Sequence, residues 1–220
     1  MHRIFLLSPA KSGGKRAELI YNQRARFLLA HRLQRGEAVP ISEIFSFLSG
    51  LYFRGKIAYA RAFARPPGKV NGIYIITTNR GLIPADTPLT LAELTAFATV
   101  EIDHQDERYR GPIERDARAL GRKLGARGEA VLLGSIGTKK YVDVLVSVLG
   151  DRLKFPTDFV GRGDMSRGGL LLRRAADGPE LEYASVSTAI RRGKRPARLE
   201  PRSWAGTRFA LNAERHKEQL

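Results

Sequence analysis

Gly72-Ile73-Tyr74-Ile75-Ile76-Thr77-Thr78 is the clearest strand in this chain of 220 residues. Its β-branched residues suit a buried, pleated surface, and Gly72 and Asn79 bound it with turn-forming chemistry. Two further apolar runs match it: Ile4-Phe5-Leu6-Leu7, closed by Ser8-Pro9, and Ala130-Val131-Leu132-Leu133, closed by Gly134. Continuous apolar runs of this length read as strands covered on both faces. Leu153-Lys154-Phe155-Pro156 is a shorter candidate. Helical patterns fill the intervals: one long helix over 16–33, a pair over 41–63 stopped by Arg65-Pro66-Pro67-Gly68, and one over 90–100. Two more follow over 114–124 and 140–149. Thr90 and Glu93 have the spacing of a capping box. Buried strands alternating with helices predict the α/β class, as a single three-layer domain over 1–189 with a mostly parallel central sheet flanked by helices. Phe159-Val160-Gly161-Arg162-Gly163-Asp164-Met165-Ser166-Arg167-Gly168-Gly169 reads as a glycine-rich loop. Residues 170–172 and 181–186 then read as hairpin partners. Residues 190–220 form a basic tail, with six basic residues and two prolines between Arg191 and Arg202, expected to be extended or poorly ordered.

Charge is distributed unevenly along this chain of net charge +16. Residues 1–80 hold 14 basic side chains against three acids, Glu18, Glu37 and Glu43. Residues 81–180 are balanced, and 181–220 are again basic. Between Glu43 and Asp86 there is no carboxylate, while Arg54, Lys56, Arg61, Arg65, Lys69 and Arg80 all fall there. Such clustering produces a one-sided positive field that attracts a polyanion and weakens with salt. Arg outnumbers Lys by 28 to 10, and the planar guanidinium suits bidentate contacts to phosphates and base edges. Nucleic acid is therefore the expected partner.

The absence of cysteine excludes disulfides, thiolate metal sites and a cysteine nucleophile. The four histidines, His2, His31, His104 and His216, have no zinc-site spacing. Neither a metal nor a cofactor is expected. No apolar run approaches the ~18 residues that cross a bilayer, and no signal-peptide pattern opens the chain. A cytoplasmic protein with no membrane partner follows as the expectation; oligomeric state is open.

In an open α/β sheet, ligands bind beyond the C-terminal strand ends. That rule gathers four polar segments into one expected cleft. The first, residues 8–16, sets Ser8 and Pro9 beside a Gly13-Gly14-Lys15 turn, where Lys11, Lys15 and Arg16 could help backbone N–H groups hold a phosphate. Its spacing is not that of a P-loop. The second, residues 77–88, supplies Asn79 for base or sugar recognition, Arg80 for phosphate, and Asp86, the first acid after forty-two acid-free positions, or else a turn-capping residue. The third, residues 134–141, places Ser135, Lys139 and Lys140 at a strand-to-helix junction, with Tyr141 either stacking on a base or packing in the core. The fourth, residues 159–169, holds Asp164 between Arg162 and Arg167, with Ser166 beside them. A carboxylate between two arginines suits activating water or stabilising a cationic intermediate better than donating a proton.

Several of these segments resemble the YaaA-like group. The matching positions are Ser8-Pro9-Ala10-Lys11, Tyr52 with Arg54-Gly55, and Gly81-Leu82-Ile83-Pro84, within a likeness that covers roughly residues 3–165. Members are associated with DNA binding and oxidative-stress protection, which the resemblance implies here. A more distant likeness, of layout, is to the uracil-DNA-glycosylase superfamily. It consists of the α/β architecture, a proline-containing loop after the first strand, an Asn-bearing segment and a late glycine-rich loop. It implies a glycosylase-like fold and, through a branch that removes bulky modified bases from phage DNA, a role in antiviral defence.

The combined expectation is a DNA glycosylase acting on duplex DNA with an extruded base. Asp164, Asp86 and Asn79 are its candidate catalytic residues; Ser8, Pro9, Tyr52 and Phe159 are its candidate base pocket. Lys11, Lys15, Arg16, Arg54, Arg80, Ser135, Lys139, Lys140, Arg162, Ser166, Arg167, Arg191 and Arg192 are the candidate DNA contacts. The alternatives are a non-catalytic DNA-binding stress protein of the YaaA type and an enzyme acting on bases in RNA or tRNA.

Overall fold

The computed structural model describes residues 1–137, 139–190 and 193–199. In chain order the elements are β1 (Arg3–Leu7), α1 (Lys15–Tyr21), α2 (Leu28–Gln34), β2 (Val39–Pro40), α3 (Ile41–Ser49) and α4 (Leu51–Phe63). Then come β3 (Ile73–Ile76), β4 (Leu82–Pro84), β5 (Pro88–Leu89), α5 (Leu91–Phe97), α6 (Glu107–Leu124) and β6 (Glu129–Leu133). The last are α7 (Lys139–Leu149), β7 (Leu153–Pro156), α8 (Asp164–Asp177) and β8 (Tyr183–Ser185). Six strands make one sheet in the order β4-β3-β1-β6-β7-β8, and β2 pairs with β5 in a separate small ribbon. The four inner strands are parallel, while β4 and β8 are antiparallel edges.

The three apolar runs are adjacent in the middle of the sheet, with Leu7 level with Ile75 on one side and Leu133 on the other. Register then assigns the faces. Phe5, Leu7, Ile75, Val131 and Leu133 enter a core with α1 to α5 and α8, whereas Ile4, Leu6, Tyr74, Ile76, Ala130 and Leu132 enter a second core with α6 and α7. Because both faces are covered, no polar alternation survives in these strands. The expected three-layer α/β architecture with a mostly parallel sheet is present. No helix among the described residues is long and apolar enough to cross a membrane.

Four local expectations fail, each for a physical reason. The helix over 16–33 is two helices, because the Asn22 side chain caps a turn by accepting the Arg24 N–H at 2.9 Å. The helix expected over 114–124 begins earlier, at Glu107, because the Asp106 carboxylate accepts the Arg108 N–H. The supposed glycine-rich loop is largely helix: Gly163 is the N-cap of α8, and Ser166, Arg167, Gly168 and Gly169 are helical. Residues 170–172 therefore cannot form a hairpin with 181–186; β8 pairs instead with β7. Thr90 and Glu93 do form the capping box of α5. Of the basic tail, residues 193–199 are described and run beside the start of α8, where the Ala197 carbonyl accepts from Arg162. Arg191, Arg192 and residues 200–220 lie outside the described residues.

Candidate active site

The chain leaves β1 for helices on one face of the sheet and leaves β6 for α7 on the other, so a crevice opens between the C-terminal ends of these neighbours. Ser8 follows β1 and Ser135 follows Gly134 after β6; the Ser8 N–H donates to the Leu133 carbonyl at 3.2 Å and ties the two ends together. A cleft of about 240 Å³ sits there. At ~30 Å³ per water, that is room for roughly eight waters. Seven residues picked out in the sequence line it: Ser8, Pro9, Tyr52, Ser135, Lys140, Tyr141 and Asp164. Lys56, Ser49 and Ile102 complete it.

The cleft owes its shape to a crossing of α4 and α8. A Cβ at Gly55 would come within 2.6 Å of the Gly168 carbonyl, and one at Gly168 within 2.8 Å of the Tyr52 Cα. Only two glycines allow backbones this close. The crossing presents Tyr52 and Lys56 of α4 to Asp164 and Arg167 of α8. Of the glycines of the fourth segment, Gly168 thus serves helix packing.

Lys56 is the central group, and it was missed in the sequence, where it counted only towards net charge. Its signal was helical phase: Lys56 falls on the stripe of Tyr52, Phe53, Tyr59 and Ala60, all buried. It is 1% exposed, lies over the Tyr52 and Phe53 rings at 4.6 and 4.7 Å, and donates to the Ser8 carbonyl at 2.6 Å and to Ser8 Oγ at 2.9 Å. Burial pulls its pKa down to about 7; the Asp164 carboxylate acts upward through space and Arg167 acts downward. Burial thus brings the titration of this amine down into the neutral range.

Two tyrosine hydroxyls flank the amine. That of Tyr141 accepts the Ser135 N–H at 3.0 Å, and burial raises its pKa against the opposing pull of the Ser8 side chain. That of Tyr52 is buried with no hydrogen bond of proper geometry, although the Arg167 guanidinium nearby partly offsets the upward push of burial on its pKa. An orphaned buried hydroxyl beside a cleft is a group free to bond a ligand. Asp164, 70% exposed at its side chain and first in α8, reaches Arg167 Nη1 at 3.5 Å. Arg167 also donates twice to the Phe159 carbonyl and lies over the Phe159 ring, which holds it in place.

Other expected site residues lie elsewhere. Asp86 is exposed, ion-paired with Arg61 at 3.1 Å, and belongs to a groove with Pro40, Glu43 and Arg54 rather than to the cleft. Asn79 donates to the Ala96 carbonyl at 2.9 Å and fastens its loop to α5, and Arg80 pairs with Glu93. Phe159 is core, packed edge-on beneath Tyr52 at 6.5 Å, so it supports the pocket wall without offering a stacking face. Lys11 and Lys15 are exposed, and Arg16 donates to the Phe47 carbonyl beside Arg54 in a separate groove. Lys139 is exposed at the start of α7. Arg162 donates to the Asp158 carbonyl and to Ser166 Oγ, and both residues line a groove with Arg173, Arg195 and Arg198.

No family model, curated protein or solved structure matches this chain.

Proposed function

We propose that this protein is a DNA glycosylase that draws one modified or damaged base into the cleft between β1 and β6 and hydrolyses its N-glycosidic bond. The observation that carries this reading is the convergence of Asp164, Lys56, the unpartnered Tyr52 hydroxyl and the Ser8 and Ser135 hydroxyls on one cleft, in a chain of net charge +16. Base excision asks for little more: a carboxylate to orient water and to stabilise the oxocarbenium ion, polar groups on the base edge, and cations that keep the nucleotide extruded. Asp164 takes the first role, as its sequence context suggested, and Asp86 leaves it. Tyr52, Ser8 and Ser135 face the base. Lys140 at the rim and the groove of Arg162, Arg173, Arg195 and Arg198 provide phosphate contacts on either side of Asp164.

The test is an abasic-site assay. Purified protein is incubated with uracil-containing, alkylated, oxidised, hydroxymethylated and glucosylated DNA, followed by alkaline cleavage. Breaks confined to one modified DNA identify the activity and its base, and glucosylated phage-type DNA among the substrates would point to antiviral defence. Tight salt-dependent binding without breaks would instead make the protein a DNA-binding stress factor, and a preference for folded RNA would redirect the chemistry to RNA bases.

A further inference from the structure

We propose that Lys56 forms a covalent imine with C1′ of the deoxyribose left after base loss, so that the protein also cleaves the strand at abasic sites. This rests on the preceding reading only in taking DNA as the substrate. It goes beyond that reading, because hydrolysis through Asp164 needs no amine, and Lys56 would then be a buried cation without a chemical task.

Three observations point to the amine as a nucleophile. Lys56 lines the cleft together with Ser8, Tyr52 and Asp164. Both of its hydrogen bonds go to Ser8, a neutral residue that positions the nitrogen without a counter-ion to hold its charge. The charged and titratable groups packed around it are Asp164 and Arg167 from α8, Tyr52 from α4, and Tyr141 and Lys140 from α7. With the pKa drawn down to about 7 by burial, a neutral amine is present at working pH.

The chemistry balances with the groups present. The Nζ lone pair adds to the open-chain C1′ aldehyde; the carbinolamine hydroxyl takes a solvent proton and leaves as water, giving a C1′=Nζ iminium. The acidified C2′ proton passes to the Asp164 carboxylate. The C3′–O bond breaks with its electron pair going to the departing phosphate, leaving an unsaturated iminium. A water then hydrolyses the C=N bond, releasing an unsaturated aldehyde at the strand end, and the Lys56 amine and the Asp164 carboxylate return as their two protons pass to solvent.

The experiment uses the full chain and a duplex oligonucleotide carrying one preformed abasic site, with sodium borohydride to reduce the imine to a stable amine. A covalent protein–DNA band is expected, with the adduct mapped by peptide mass spectrometry to residue 56. Lys56→Arg and Lys56→Met should reduce it at least twentyfold while still melting cooperatively, and Asp164→Asn should trap but cut slowly. An adduct mapped to Lys11, Lys140 or the N-terminus, trapping by Lys56→Met equal to wild type, or no adduct under conditions where the abasic duplex is bound would each overturn the proposal. Because the base is already gone, trapping succeeds or fails independently of base excision. Failure to bind abasic or intact duplex at all would overturn both readings together.

Discussion

Two cations, one part-buried and one fully buried, stand at opposite ends of β1's neighbourhood and are treated in opposite ways. Arg3, at the N-terminal end, is held by both Glu129 and Glu180 and lies 4.6 Å from the centre of the Tyr183 ring. Glu180 also accepts from Arg65 and Tyr183, Tyr183 shares a 2.6 Å hydrogen bond with Tyr59, and Tyr59 accepts the Leu181 N–H. Lys56, at the C-terminal end, has two oxygens of one serine and an orphaned tyrosine hydroxyl nearby. A closed network locks chain segments together, whereas an unpaired buried amine is tolerated at a cost that the rest of the fold must offset. One end of the sheet is built for stability, and the other end holds groups whose bonding a ligand can complete.

The sharpest way to break this contrast is Asp164→Asn. Base release should fall by about 10²–10⁴-fold while DNA affinity stays equal or rises slightly, measured by single-turnover excision and by fluorescence anisotropy. Ordinary turnover in that variant would remove the cleft from the chemistry. At the other end, Glu129→Ala should cost about 3 kcal/mol in urea unfolding, because Arg3 loses a buried partner, and should leave excision per folded molecule unchanged.

Lys56→Met sharpens the comparison through pH. Folding depresses the Lys56 pKa from 10.5 to about 7, so between those values the unfolded chain binds a proton that the folded chain does not. Wild-type stability should therefore rise with pH across that window relative to the variant, by on the order of 5 kcal/mol in all, with no differential slope below pH 7. Parallel stability curves from pH 7 to 10.5 would show that Lys56 is not buried as a cation.

Smaller effects separate two neighbouring glycines. Gly168→Ala should destabilise by about 1–3 kcal/mol and slow excision, since its Cβ meets the α4 backbone and forces the helices apart. At Gly169 a Cβ meets only Leu199 Cδ1 at 3.7 Å, so Gly169→Ala should stabilise α8 by roughly 0.5–1 kcal/mol. Equal losses at both positions would refute the crossing as the reason for the glycines.

Much of this was readable before any coordinates, and the failures share one character. The central strands, the helix pair of α3 and α4, the capping box of α5 and the location of the cleft all follow from apolar periodicity, turn chemistry and the strand-end rule, which are local or nearly so. Ser8, Pro9, Ser135, Lys140, Tyr141 and Asp164 were named for that reason. Asp86 and Asn79 were assigned to the cleft because they follow the clearest strand, but β3 turns back into β4, and its hairpin sends Asp86 to Arg61 and Asn79 to Ala96.

What the sequence alone determined, then, is the class of fold, the uneven charge along the chain and the loops from which a site would be drawn, because composition and period act over a few residues. Tertiary structure decided the rest. Lys56 meets Ser8 across 48 positions of chain, and Gly55 meets Gly168 across more than twice that distance, to set Asp164 facing the amine. A glycine in a run of glycines looks like a loop until another helix lies against it, and a lysine on an apolar stripe looks like surface until the core closes over it. Both outcomes depend on packing between segments remote in sequence; helical phase puts Lys56 on the apolar stripe of α4, but only that packing buries it.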